Sequence, residues 1–237
     1  MFSKMGNGML LGVVLGTVLE GTKIEGYPIA TPYGNTSSPI RERGNLRILL
    51  RHGADRTYPP HLVPYKANIY ALKALGVESI VSICAVGGLR RSFRPGSFCL
   101  PNQLIDFTKN RDSSYSGPGS VVHMPMWEPF NLQLRGHLSS ILEILKFPHI
   151  PKGTYIAVEG PGFSTKAESE MYKKLGGDII GMTACPEVQL ATELGLKYSL
   201  LCCITDYNGG STFSKIKEAS KTFDGQIAEI LEKLDER

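Results

Sequence analysis

The stretch YSLLCCITDYNGG, residues 198–210, runs through apolar positions and stops at Asp206, Tyr207, Asn208 and two glycines. A carboxylate closing a buried run is solvated, paired, or held at the lip of a pocket for use. Other apolar runs end in the same manner. Gly16-Thr17 follows the first, Arg51-His52 closes LRILL, and Cys84-Ala85-Val86-Gly87-Gly88 closes ESIVSI. Glu159-Gly160-Pro161 closes TYIAV, and Met182-Thr183 closes DIIG. Arginine supplies a planar fork of donors, so Arg51, with His52, Thr17, Thr183 and backbone amides near Ala85, could cradle a phosphate. The chain has no G-x-x-x-x-G-K-S/T loop, no G-x-G-x-x-G, no G-x-S-x-G and no H-E-x-x-H, so the anion is not a triphosphate held by a P-loop. Spacing alone points to a pocket for an anion and a polar ligand.

These residues meet only if their runs lie side by side, because ligands collect at the carboxyl ends of strands in open α/β sheets. Residues 9–15, 46–51, 78–85, 154–159, 178–182 and 198–205 read as strands. Residues 65–75, 131–146, 165–175 and 187–194 carry apolar positions at helical spacing, and 212–235 reads as one final helix. The expectation is a single α/β domain over residues 1–237, a mixed central sheet flanked by helices, with residues 1–8 disordered. The stretch 106–120, DFTKNRDSSYSGPGS, is the one long polar loop, and its length points to a functional or interface role.

Composition narrows the classes. With 237 residues, 42% hydrophobic and 20% charged, the chain can bury a full core. A net charge of +4 suits an anionic small molecule better than a nucleic acid, which needs a denser basic stripe. Five cysteines without a C-x-x-C read as reduced thiols of a cytoplasmic protein, with neither a disulfide framework nor a metal site. The N-terminal run MLLGVVLG follows Lys4 as in a signal peptide, but Gly12 and Gly16 break it and no small-x-small site follows before Glu20. A first core strand is expected there, and no membrane span elsewhere.

Longer stretches carry a family likeness. RHG followed by HLVPYKANIYALKALGVESIVSICAVGGL, then HMPMWEPF, GTYIAVEGPGFSTKAESEMY, GMTACPEVQLATELGLKY and ITDYN resemble the trimeric purine nucleoside phosphorylase family, and within it the methylthioadenosine phosphorylase branch. The resemblance spans residues 10 to 210. It implies attack of inorganic phosphate, a co-substrate and not a cofactor, on C1′ of a purine nucleoside. By position it implies that Thr17, Arg51, His52, Cys84, Ala85 and Thr183 surround phosphate. Met182 would lie under the ribose, Phe163 and Ser164 near the base, and Asp206 and Asn208 at the base edge. His123 would reach the 5′ end of the substrate bound by a neighbouring subunit of a homotrimer. A buried carboxyl at Asp206 suits protonation of the leaving purine, because burial raises its pKa.

The chain also departs from the family pattern. LGTVL lacks two glycines of the early turn, Gly162 stands where Arg is usual, Cys84 where Thr or Asn is common, and Asn208 where a second Asp is expected. Two aspartates suit a 6-amino group, whereas Asn208 can accept or donate. Methylthioadenosine is the expected substrate. 6-Oxopurine nucleosides, including methylthioinosine, are the alternative, and a non-enzymatic nucleoside-binding protein of the same fold is the second.

Overall fold

The apolar runs become neighbouring strands because amphipathic helices return the chain across the sheet between them. The computed structural model describes residues 9–17, 25–207 and 211–236. Its strands are β1 (Leu10–Leu15), β2 (Ala30–Thr31), β3 (Gly34–Asn35), β4 (Ile40–Arg43), β5 (Leu46–Leu50), β6 (Val77–Gly88), β7 (Phe98–Cys99), β8 (Gln103–Asp106), β9 (His149–Ile150), β10 (Thr154–Ala157), β11 (Ile179–Gly181) and β12 (Lys197–Tyr207). Its helices are α1 (Tyr65–Ala74), α2 (Leu132–Ile144), α3 (Lys166–Lys174), α4 (Ala184–Glu193), α5 (Phe213–Lys221) and α6 (Asp224–Asp235). The expected mixed sheet flanked by helices is present, with each expected strand matched within a few residues. Residues 1–8 and Asn208, for which expectations were stated above, lie outside the described residues.

Strand β6 organises the sheet. Its first part lies between β1 and β12, both parallel to it, and its last two residues, Gly87 and Gly88, pair antiparallel with β11. From there the order runs β11-β10-β8 on one side and β1-β5-β4 on the other. Between Ile83 and Gly87, therefore, β6 has left β1 and has not yet met β11. One edge of the strand is open there. Short strands β7 and β9 extend the β12 side, and β2 and β3 form a separate hairpin.

Two apolar layers hold the sheet. On one face, Ile69 and Leu72 of α1 and Val188, Leu190 and Ala191 of α4 pack with Val14, Ile80 and Leu200. On the other, Leu138 and Ile141 of α2 and Ile227, Ile230 and Leu231 of α6 pack with Leu15, Val81, Ile83 and Leu201. All five cysteines are buried and free. The helix expected over 212–235 is two helices, broken at Thr222 and Phe223. The Phe223 ring, 1% exposed, turns into the core edge-to-face with Phe98 at 5.0 Å. Its apolar spacing continues from one helix to the next, so sequence periodicity conceals the break. The break lets α6 cover the sheet while α5 is directed elsewhere.

Candidate active site

The open edge of β6 borders a cavity of about 420 Å³. Strand ends deliver the expected residues to it: Thr17 after β1, Arg51 and His52 after β5, and Cys84 and Ala85 from β6. Phe163 and Ser164 come from the loop after β10, Met182 and Thr183 follow β11, and Asp206 comes from β12. The chain thus brings these predicted positions to one place. His123 is exposed and does not line this cavity in its own subunit.

Arg51 is fully buried, and its charge is met within the protein. Its Nε donates to Glu187 Oε1 at 2.5 Å, and Nη2 donates to Glu187 Oε2 at 3.2 Å and to Ser82 Oγ. Nη1 donates to the Ile83 carbonyl at 3.3 Å. Ser82 and Tyr198 hydroxyls also donate to Glu187 Oε2, each at 2.8 Å. Burial lowers the pKa of Arg51, but the Glu187 charge and hydrogen bonds outweigh it, so the net shift is upward. Sequence reading treated Arg51 as an open fork for phosphate. The structure shows a guanidinium already committed to a carboxylate, with the cavity on its flank.

The other anion-facing groups divide into donors and a neutral acceptor. The Ile83 carbonyl accepts from the Gly16 N–H at 2.9 Å, so that side of β6 faces β1. Backbone direction alternates along a strand, so the Ala85 N–H points the same way, into the gap that neither β1 nor β11 fills. His52 Nδ1 bonds the Tyr58 carbonyl at 2.8 Å, which fixes Nδ1 as the protonated nitrogen and leaves Nε2 an acceptor. Burial, then the Arg51 charge, lower its pKa from 6.5 to about 4. His52 is neutral at physiological pH and contributes no positive charge. Cys84 is 2% exposed, and its thiol meets the Cys202 thiol at 3.6 Å. Arg56 lines the same cavity, with Nη2 donating to the Thr17 carbonyl at 3.2 Å and its guanidinium 5.4 Å from the Phe213 ring centre.

Asp206 owes its position to a bulge. Ile204 pairs with Val86 and Asp206 with Gly87, which leaves Thr205 as an extra residue in β12. Such a residue bends a strand and re-aims its side chains. A Cβ at Gly87 would come within 3.2 Å of Asp206 Oδ1, so glycine lets the carboxyl sit close to β6. The residue is 6% exposed, and its Oδ2 is buried without a hydrogen-bond partner. Burial raises its pKa, against weaker opposing effects of the Thr205 hydroxyl and the Ser211 backbone N–H. A carboxyl in this state retains its proton to higher pH than a solvated one, and it has a free oxygen in a cavity wall.

The remaining wall is apolar: Val158, Ile180 and Met182 from the β10–β11 side, with Phe213 and Ile216 from α5. Gly181 leaves room for the Tyr155 ring, since a Cβ there would meet the Tyr155 hydroxyl at 2.1 Å. That hydroxyl accepts from the Thr183 N–H at 3.4 Å. Sequence reading missed Glu187, Arg56, Phe213 and Ile216. Glu187 had a local signal, the one charged side chain within the stretch ACPEVQLA of α4. The α5 residues had none, because their role depends on the break at Phe223. Among the described residues, no group of three His, Cys, Asp or Glu side chains is placed to hold a metal ion. No helix among them is long and apolar enough to cross a membrane.

Comparison with known proteins agrees with this geometry. The family described as the phosphorylase superfamily matches residues 11–234. A probable S-methyl-5'-thioinosine phosphorylase of Methanocaldococcus jannaschii is 40% identical over 230 residues, 95% of this chain and 90% of the relative. An S-methyl-5'-thioadenosine phosphorylase of Thermococcus kodakarensis is 43% identical over 205 residues, 84% of this chain and 79% of the relative. The solved structure of a Schistosoma mansoni methylthioadenosine phosphorylase with adenine superposes with a TM-score of 0.88 at 30% identity, over 94% of this chain and 89% of that one.

The Arg51–Glu187 pair generates a test. Glu187→Ala leaves a buried guanidinium without its carboxylate, an arrangement that costs ~3–5 kcal/mol. Urea unfolding of this variant should show a loss of that size. Arg51→Ala should lose a similar amount from the other side, so its phosphate affinity has to be measured on folded protein. An unchanged unfolding midpoint in both variants would contradict the buried pair.

Proposed function

The chain belongs to the phosphorylase superfamily, and from that premise we propose that it cleaves purine nucleosides by phosphorolysis, with S-methyl-5'-thioadenosine as the preferred substrate. The observation that carries this reading is Asp206: a buried carboxyl with raised pKa and an unpartnered Oδ2, in the same cavity as Thr17, the Ala85 N–H and Thr183. In the proposed reaction a phosphate oxygen bonds to C1′ of the sugar while the C1′–N9 bond breaks. The base departs with the bonding electrons, and N7 takes or shares the Asp206 proton. Positive charge developing on the sugar is stabilised by the phosphate itself. The products are a free purine and a ribose 1-phosphate carrying the original 5′ substituent.

Phosphate binding in this reading draws on the Ala85 N–H, the Thr17 and Thr183 hydroxyls, and the Arg56 guanidinium, with the Arg51–Glu187 pair beside them. Neutral His52 adds an acceptor for a phosphate or sugar hydroxyl. The apolar wall of Met182, Phe213 and Ile216 favours a 5′-methylthio group over a hydroxyl. Relatives named for methylthioadenosine support the 6-amino base. The relative named for methylthioinosine, together with Asn208 in the base-edge motif, supports 6-oxopurines as the second reading.

We also propose a cytoplasmic homotrimer in which His123 completes the neighbour's site. Val121 is 82% exposed and Trp127 89% exposed, on either side of His123. Large apolar side chains left in water so close together mark an interaction surface.

Three outcomes are expected. Across methylthioadenosine, methylthioinosine, adenosine, inosine and guanosine, free purine should appear only with phosphate, fastest from methylthioadenosine. Binding of these nucleosides without phosphate-dependent release would favour the non-enzymatic alternative. Asp206→Asn should lower kcat by about 10²-fold or more, the usual weight of a general acid, with little change in nucleoside KM; a change in KM alone would remove its leaving-group role. Mixing His123→Ala and Asp206→Asn chains should give activity above the weighted sum of the two parents. No gain after demonstrated subunit exchange would mean that each chain builds its site alone.

A further inference from the structure

The long polar loop sends one side chain back beneath the cavity. Arg111 is 2% exposed at its side chain and touches three separate parts of the fold. Its Nε donates to Glu159 Oε1 at 2.8 Å, and Nη2 donates to the Glu159 carbonyl. Its Nη1 donates to the carbonyls of Met182 at 2.7 Å and Cys185 at 2.6 Å, and to the Tyr65 hydroxyl at 3.2 Å. The guanidinium also lies 5.4 Å from the Tyr65 ring centre, close enough for a cation–π contact. Glu159 is in turn held by the loop, its Oε2 accepting the backbone N–H groups of Lys109 at 2.5 Å and Asn110 at 3.2 Å.

What these acceptors have in common is the chain they belong to. Met182 and Cys185 bracket Thr183, and the backbone there is irregular. Thr183 caps α4 without a side-chain bond, and Cys185 has φ −103° and ψ 135° inside the helix. An irregular turn has no ladder or helix to take up its carbonyls, so they need another donor. Arg111 is that donor for two of them. The same turn carries Met182 and Thr183 in the cavity wall, and two residues past Cys185 it delivers Glu187 to Arg51. Tyr65 extends the linkage, since its hydroxyl donates at 2.7 Å to the carbonyl of Pro60, another cavity residue.

We propose that Arg111 is a positioning residue for phosphorolysis: it clamps the Met182–Cys185 turn and so sets Thr183 at the anion side of the cavity. This rests on the phosphorolysis reading above. A planar fork is required because the three acceptor groups on Nη1 and the two Glu159 oxygens lie in different directions. Lysine keeps the charge, but its three donors sit on one nitrogen and cannot reproduce a fork with five acceptors around it.

The test compares the parent with Arg111→Lys and Tyr65→Phe as whole chains. Thermal unfolding is followed first, then phosphate binding by calorimetry, then KM and kcat for phosphate and nucleoside. Small misplacement of a binding group is worth about 10-fold to 10²-fold, so Arg111→Lys should bind inorganic phosphate about tenfold more weakly. Nucleoside KM should move far less, and Tyr65→Phe, which keeps both turn carbonyls on Arg111, should stay near the parent. A folded Arg111→Lys chain with parental phosphate affinity overturns the proposal, as does an equal loss for phosphate and nucleoside. If the parent binds phosphate but releases no purine, phosphorolysis fails while calorimetry still decides on Arg111. If Arg111→Lys does not fold, Glu159→Gln loosens the same guanidinium, and unchanged phosphate affinity there overturns the proposal. A parent that binds no phosphate overturns both readings.

Discussion

A guanidinium with no access to water persists only when its charge is met inside the protein, and the site is built around that constraint. Arg51 and Glu187 are 0% and 1% exposed at their side chains. They come from opposite parts of the chain, one from the end of β5 and the other from the first turn of α4. Neither can be buried without the other. Their pairing therefore fixes the distance between the β1–β5 side of the sheet and the helix that follows β11. Ser82 and Tyr198 join the pair from β6 and β12, so four elements meet at one neutralised charge. The cavity lies against this point.

Around that pair, the sheet provides two different environments within one cavity. On one side, β6 separates from β1 before it meets β11 and leaves a backbone N–H facing the cavity. On the other, the bulge in β12 turns Asp206 into a dry wall, where its proton is held more firmly. The proposed reaction asks for an attacking anion and a proton-donating carboxyl, which are opposite requirements. They are met by separating solvating donors from desolvating surface. His52 fits between them because it is kept neutral by burial and by Arg51.

Much of this was legible in the residues. Apolar runs ending on Thr17, Arg51, Ala85, Thr183 and Asp206 marked strand ends, and strands in an α/β sheet present such ends to one crevice. What stayed hidden depended on tertiary geometry. A bulge at Thr205 leaves no mark in the alternation of a strand buried on both faces. The break at Phe223 follows from a ring packing on Phe98, while the apolar spacing runs on unbroken. Arg111 sits in a polar loop, and only the fold shows its five backbone and side-chain acceptors. Glu187 was visible as an acid within an apolar stretch, but its partner lies 136 positions away.

The proposed reaction turns on Asp206 holding its proton to higher pH than a solvated carboxylate does. NMR titration of its side-chain carboxyl carbon, assigned by comparison with Asp206→Asn, measures this directly. Burial predicts a midpoint above the ordinary carboxyl value of 3.8, rising further when a purine nucleoside fills the cavity and excludes water. A midpoint at or below that value, in the free or the occupied site, would contradict it.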